Sequence, residues 1–145
     1  MLKKIPACLS PELMSAIMRM GHMDEIVFVD GNFAGDAHAS SEFVRADGLG
    51  VSELIDAVLE FFPLDQFAQE NAFVFQVPAD FDGKPAVWKE FDSICKKHDT
   101  YGAYKGLVEL PGDDFYARAE QAFMIVQTSE KAPYGNIILR KGCVL

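Results

Sequence analysis

Three short clusters in this 145-residue chain carry side chains able to move protons or hold a polar ligand. The first is Gly21-His22-Met23-Asp24-Glu25, with Asp30 beyond it. His22 falls just past a segment that reads as a helix, where the negative end of the helix dipole favours a cation. A histidine is the side chain best suited to general acid/base work near neutral pH. Asp24 is near enough in the chain to orient its ring or charge-assist it. The same position suits a histidine that caps the last helical carbonyls, so spacing leaves both roles open. Asp30 ends an apolar run, where burying a carboxylate is costly unless it is paired. It is a candidate acceptor for a ligand hydroxyl, or a cap for its own loop. His38, in the loop that also holds Asn32 and Asp36, reads as a surface histidine.

The second cluster, Arg45-Ala46-Asp47-Gly48, reads as a turn with a local ion pair. The third is Tyr134-Gly135-Asn136 at the entry to the last strand. A ring face and an amide that both donates and accepts suit a polyhydroxylated ligand. An ordinary turn before a strand reads the same way. Trp88 and the aromatics Phe61, Phe62, Phe73 and Phe75 read as core.

Other chemistries find no support. There is no His-x-x-x-His or Cys-x-x-Cys spacing and no calcium-loop order of acids, so no metal site is expected. Gly31-Asn32-Phe33-Ala34-Gly35 lacks the Lys-Ser/Thr ending of a phosphate loop, and Gly48-Leu49-Gly50 lacks the third glycine of a dinucleotide fingerprint.

The elements that must position these residues follow from punctuation and period. Ser10-Pro11-Glu12 starts a helix, with Ser as cap, Pro at the first position and an acid in the first turn. Leu13, Ile17 and Met20 share its face, and Gly21 stops it. Ile26 to Val29 is a short continuous apolar run, as in a strand buried on both faces. Further helices are expected at Val51–Phe62, Lys84–His98 and Asp113–Ala122. Further strands are expected at Ala72–Val77, Gly106–Leu110, Phe123–Thr128 and Asn136–Lys141. Such alternation predicts one α/β domain over residues 1–145, layered α/β/α on a mainly parallel or mixed sheet. Sites in such sheets form where loops leave the carboxyl ends of strands, which is where Asp30 and the segment after Thr128 fall.

Composition narrows the partners. Acidic residues number 22 against 13 basic ones, for a net charge of -9. Nucleic acid needs clustered Lys and Arg to neutralise phosphates, so it is not an expected partner. Cys8, Cys95 and Cys143 form neither a disulfide framework nor a zinc pattern, and read as reduced thiols. No apolar stretch approaches the ~20 residues of a membrane span, and Pro6 and Pro11 interrupt any signal-like segment, so the cytoplasm is expected and a membrane is not.

Taken in order, the segments resemble the family of L-fucose mutarotases and D-ribose pyranases. The resemblance runs through Ser10-Pro11-Glu12-Leu13, Gly21-His22-Met23-Asp24-Glu25-Ile26 with Asp30, and Arg45-Ala46-Asp47-Gly48. It continues through Phe115-Tyr116-Ala117-Arg118-Ala119, Thr128, Glu130, Tyr134-Gly135-Asn136-Ile137 and Lys141-Gly142. The Arg-Ala-Asp-Gly and Phe-Tyr-x-Arg-Ala pieces look more like the fucose branch. The resemblance implies a cofactor-free isomerase that interconverts the anomers of L-fucose or a related aldose, with His22 as proton donor and Asp30, Tyr134 and Asn136 at the sugar; the alternatives are a D-ribose pyranase-type isomerase and a non-catalytic sugar-binding or transport-accessory protein. It implies self-association into a ring, a pentamer or a decamer, with sites near subunit boundaries. The chain departs from the pattern at Gly112, where the family usually has a basic sugar-binding residue. Asp113, Asp114 or a residue from elsewhere in the chain is the expected replacement, and Asp113 is carried as a supporting residue with Asp24.

Overall fold

A computed structural model describes residues 1–145 in full. The chain runs α1 (Pro11–Arg19), β1 (Glu25–Val29), α2 (Gly35–His38), β2 (Glu42–Ala46), α3 (Val51–Leu59), β3 (Ala72–Phe75), α4 (Val87–His98), β4 (Val108–Leu110), α5 (Gly112–Gln121), β5 (Met124–Thr128) and β6 (Ile137–Arg140). The six strands form one mixed sheet in the order β2-β5-β1-β6-β3-β4. β1, β2 and β5 pair in parallel, as do β3 and β4, and β6 lies antiparallel between β1 and β3. The α/β fold expected from the alternation is the observed one.

The apolar run of β1 is explained by its central place. Both its edges are paired and both its faces are covered. Ile26 and Phe28 point to one side, against Leu13 and Ile17 of α1, Leu54 and Val58 of α3, and Phe91 of α4. Val27 and Val29 point to the other side, against Phe115 and Ala119 of α5. This two-residue alternation makes one chain segment serve two cores. At the start of α1, the Ser10 side chain accepts from the Leu13 N–H at 3.1 Å, with Pro11 at the first helical position. No helix is long and apolar enough to cross a membrane.

Two elements lie where the sequence suggested only loop. α2 is a single turn, too short to show a period. β2 is an edge strand, paired only to β5, and none of its residues is fully buried. It therefore lacks the apolar run that marks an interior strand. Arg45 and Ala46 belong to β2 rather than to a turn, although Arg45 does pair with Asp47 at 2.8 Å. The helix expected from Lys84 begins at Val87, after Pro85, and the helix expected to Phe62 closes at Leu59.

The candidate residues fall at the two opposite ends of the central strands. The carboxyl ends of β1 and β5 meet the start of β6 at one end, which gathers Asp30, Thr128 and Asn136. The opposite end joins Glu25 of β1 to Arg140 of β6, with His22 in the turn before β1.

Candidate functional site

Asp30 leaves the end of β1 with its side chain almost fully buried, and every buried polar group must then find a partner. Its Oδ1 accepts from the backbone N–H of Asn32 and of Phe33, both at 3.0 Å. That closes the loop after β1 tightly around the carboxylate. Its Oδ2 accepts from Asn136 Nδ2 at 3.1 Å, while the Asp30 N–H donates to Asn136 Oδ1 at 2.7 Å. The Asp30 carbonyl accepts from Gln127 Nε2 at 2.7 Å. A carboxylate offers about four acceptor positions. Three are filled by protein, so one remains for a ligand hydroxyl. Asn136 likewise keeps one N–H free.

Around this polar pair the pocket is aromatic. Asp30, Asn32, Phe33, Phe75, Tyr116, Pro133, Tyr134 and Asn136 line it. Tyr134 sits at φ 57°, a left-handed conformation held in place by Trp88, whose Nε1 donates to the Tyr134 carbonyl at 3.0 Å. Its ring faces Phe75 at 6.1 Å and meets Phe81 edge-on at 5.4 Å. Asp30 is the only charged side chain in this lining. The arrangement suits a neutral ligand with hydroxyls at one end and C–H faces for the rings. A phosphate or a second carboxylate would meet only a negative charge.

Asp30, Tyr134 and Asn136 are therefore brought together, but His22 is not. His22 lies beyond the other end of β1, in a separate cavity with Met23, Asp65, Phe67, Ala68 and Arg140. Five strand residues at about 3.3 Å each put roughly 16 Å between the two ends. The ring does not cap α1. Its Nε2 lies 3.0 Å from Asp65 Oδ1, and Phe67 packs edge-on at 5.5 Å.

Asp24 does not assist the ring either. Its Oδ2 accepts from the Gly21 N–H at 2.7 Å, so that the carboxylate is spent on the backbone turn between α1 and β1. Asp113 is exposed in the first turn of α5 and does not line the pocket, because Phe115 and Ala119 are the residues that α5 buries. His38 is half-buried rather than on the surface. It stacks on Tyr116 at 4.5 Å and its Nδ1 pairs with Glu120 at 2.9 Å.

Sequence reading missed Asp65, Arg140 and Phe75. Asp65 is 43 positions from His22, and its only signal is a carboxylate set between Leu64 and Phe67 after a proline. Phe75 shares a face with the buried Phe73, yet it sits at the strand end and opens into the pocket. Phe61 is exposed, whereas Phe62, Phe73 and Trp88 are core as expected. Gly112 is explained by Phe75: a Cβ there would lie 2.9 Å from the ring's Cζ. The aromatic ring fills the space that a side chain at this position would need.

Known proteins resemble this chain over nearly its whole length. The chain is 44% identical to the fucose mutarotase of Homo sapiens, over 97% of this chain and 93% of that protein. The crystal structure of the fucose mutarotase from Streptococcus pneumoniae in complex with L-fucose superposes with a TM-score of 0.91, at 36% identity, covering 99% of this chain and 100% of that one. Bacillus subtilis RbsD complexed with D-ribose shares the fold at a TM-score of 0.67 and 17% identity, covering 94% and 95% of the two chains. With the model of the RbsD / FucU transport protein family matching residues 3–144, the chain belongs to that family.

Proposed function

We propose that this protein is a mutarotase that interconverts the α and β anomers of L-fucose, with residues 1–145 acting as one catalytic domain. The observation that carries this reading is the reciprocal Asp30–Asn136 pair inside an aromatic pocket with no cation. Such a pocket fits a neutral sugar, and a 6-deoxy sugar offers a methyl group to its rings. The human and pneumococcal fucose mutarotases, similar over nearly their whole length, support the same substrate.

The reaction needs no electrons and no transferred group. A proton reaches the ring oxygen, the anomeric hydroxyl gives its proton to solvent, and the bond between C1 and the ring oxygen breaks as the aldehyde forms. Rotation about C1–C2 and re-closure return both protons and yield the other anomer. A cofactor has no part in this balance. His22 supplies the proton to the ring oxygen. Asp30 and Asn136 hold hydroxyls, and Tyr134 forms a wall. A positioned acid is worth about 10²–10⁴ in rate.

The separation of His22 from Asp30 bears on assembly. A sugar seated at Asp30 is out of reach of the His22 of its own chain. A second copy that presents its His22 edge to this pocket completes the site. The large apolar side chains of Met23 and Phe67, 56% and 66% exposed beside His22, support contact between copies there. A closed ring, a pentamer or a decamer, satisfies every site by one repeated contact. The cytoplasm is the compartment this reading assigns.

The test is saturation-transfer NMR of anomer exchange in L-fucose at neutral pH. Exchange accelerated by the protein, and lost in His22→Ala, is the expected result. Unchanged exchange with the native protein would sink the reading. Full rate in the variant would remove His22 from it.

A further inference from the structure

Asp65 lies in the loop between α3 and β3, and its side chain is only 1% exposed. Three donors converge on it. The Phe67 N–H donates to Oδ1 at 3.0 Å, Arg140 Nε donates to Oδ2 at 2.9 Å, and His22 Nε2 stands 3.0 Å from Oδ1. Behind it the charges alternate. Arg140 lies 3.9 Å from Glu25, and Glu25 takes Arg118 through two nitrogens at 2.6–2.9 Å. Arg118 in turn lies over the Phe73 ring at 3.7 Å. The chain His22–Asp65–Arg140–Glu25–Arg118 thus ties one histidine ring to β1, β6 and α5.

The protonation states in this chain follow from its donors. Burial raises the affinity of Asp65 for a proton. The hydrogen bonds from His22, from the Phe67 backbone and from Arg140 outweigh burial and hold the carboxyl below the usual carboxylate range. An ionised carboxylate only accepts hydrogen bonds. The hydrogen between it and His22 must then belong to Nε2. A neutral imidazole has one N–H, so the other nitrogen, Nδ1, carries the lone pair. The ring is 37% exposed, and Asp65 is its only hydrogen-bonding partner in the chain. Of the residues lining its cavity, only Asp65 and Arg140 are charged.

We infer that Asp65 is a positioning residue for the anomer exchange: it fixes His22 as the Nε2–H tautomer, so that Nδ1 is the atom that exchanges the proton with the sugar. This rests on the mutarotase reading of the same site. When the ring is doubly protonated, Nδ1–H gives its proton to the ring oxygen and leaves the tautomer that Asp65 already holds. On re-closure, the hydroxyl that attacks C1 returns its proton to Nδ1. The ring does not have to turn between the two steps.

The first measurement reads the tautomer directly, without sugar. The full-length protein labelled with 15N-histidine is examined at a pH where the rings are neutral. Its three histidines are told apart by the signal missing in His22→Asn. His22 is expected to show a protonated Nε2 and an unprotonated Nδ1, and the opposite tautomer overturns the inference. The second measurement is the kinetics of Asp65→Asn on L-fucose. The expected result is a kcat lower by about 10- to 10⁴-fold with little change in KM, as for a histidine left in the wrong tautomer. Wild-type kcat in a folded Asp65→Asn protein also overturns it. Where that variant does not fold, the tautomer of the native protein decides alone. A native protein with the expected tautomer but no effect on fucose anomers fails the mutarotase reading and leaves the Asp65–His22 geometry standing.

Discussion

Asp30 and Asn136 bond to each other in both directions: the Asp30 N–H to Asn136 Oδ1 at 2.7 Å, and Asn136 Nδ2 to Asp30 Oδ2 at 3.1 Å. The pair stitches the end of β1 to the start of β6 across 106 positions of sequence. Asn136→Ala removes both bonds and strands a buried N–H, which costs about 1–3 kcal/mol of stability. The same change frees the Asp30 carboxylate from its aim at the pocket. The expected outcome is a lower urea midpoint together with a rise in KM for L-fucose of at least about tenfold, a lost hydrogen bond or two in binding terms. An unchanged KM would separate this pair from sugar recognition.

The placement of His22 and Asp30 at opposite ends of β1 makes a sharper claim about assembly. His22→Ala and Asp30→Asn are each expected to be inactive as pure oligomers. If one site takes His22 from one copy and Asp30 from the next, unfolding and refolding an equal mixture restores about one site in four, by the symmetry of a shared contact. Activity in the mixture near a quarter of native supports the shared site. A mixture as inactive as its components places both residues in a site within one chain, or removes one of them from the reaction.

Much of this architecture was legible from local rules. Ser10-Pro11 announced α1, and the Ile26–Val29 run announced an interior strand, because capping and burial act on neighbours in sequence. Asp30 and Asn136 each stood out as polar residues at the ends of strands. Their mutual pairing was not legible, since register between β1 and β6 is set by tertiary packing. Asp65 was hidden for the same reason: nothing near it in the chain reveals His22 or Arg140. β2 was lost because an edge strand buries too little to need an apolar run. Phe75 reads as core because an aromatic residue in a strand is most often buried, whereas its opening into the pocket depends on where the sheet stops.

Asp65 also makes a pH-dependent contribution to stability. Its carboxyl is held below the usual range in the folded protein, while an unfolded chain returns it to about 3.9. A lowered folded value means that the stabilisation is fully present above the unfolded value and is lost as pH falls through the folded one. Native protein should therefore lose stability below about pH 4 in part through this group. Removing one partner of a buried ionic pair costs about 3–5 kcal/mol, and the isosteric Asp65→Asn should fall at or below the low end of that range at neutral pH. Urea midpoints measured at a series of pH values should show a shallower acid limb in the variant. Parallel limbs would mean that Asp65 titrates alike in the folded and unfolded states.

Gly112 and Phe75 test whether the aromatic wall shapes the pocket. A Cβ at position 112 would lie 2.9 Å from the Phe75 ring, which is itself wedged against Phe115 at 5.3 Å and Tyr116 at 5.4 Å. Those neighbours leave the ring to yield toward the pocket lined by Asp30 and Asn136. Overpacking of this kind costs about 1–3 kcal/mol, offset by up to about 1 kcal/mol from replacing a helical glycine by alanine. Gly112→Ala should thus change stability modestly while raising KM for L-fucose. In a Phe75→Ala background the clash has no ring to act on, and the same Gly112→Ala change should leave KM where Phe75→Ala put it. The two effects couple only if they share the ring, which is what a double-mutant cycle measures. Additive changes in KM would show that Gly112 acts on the sugar by some route other than Phe75.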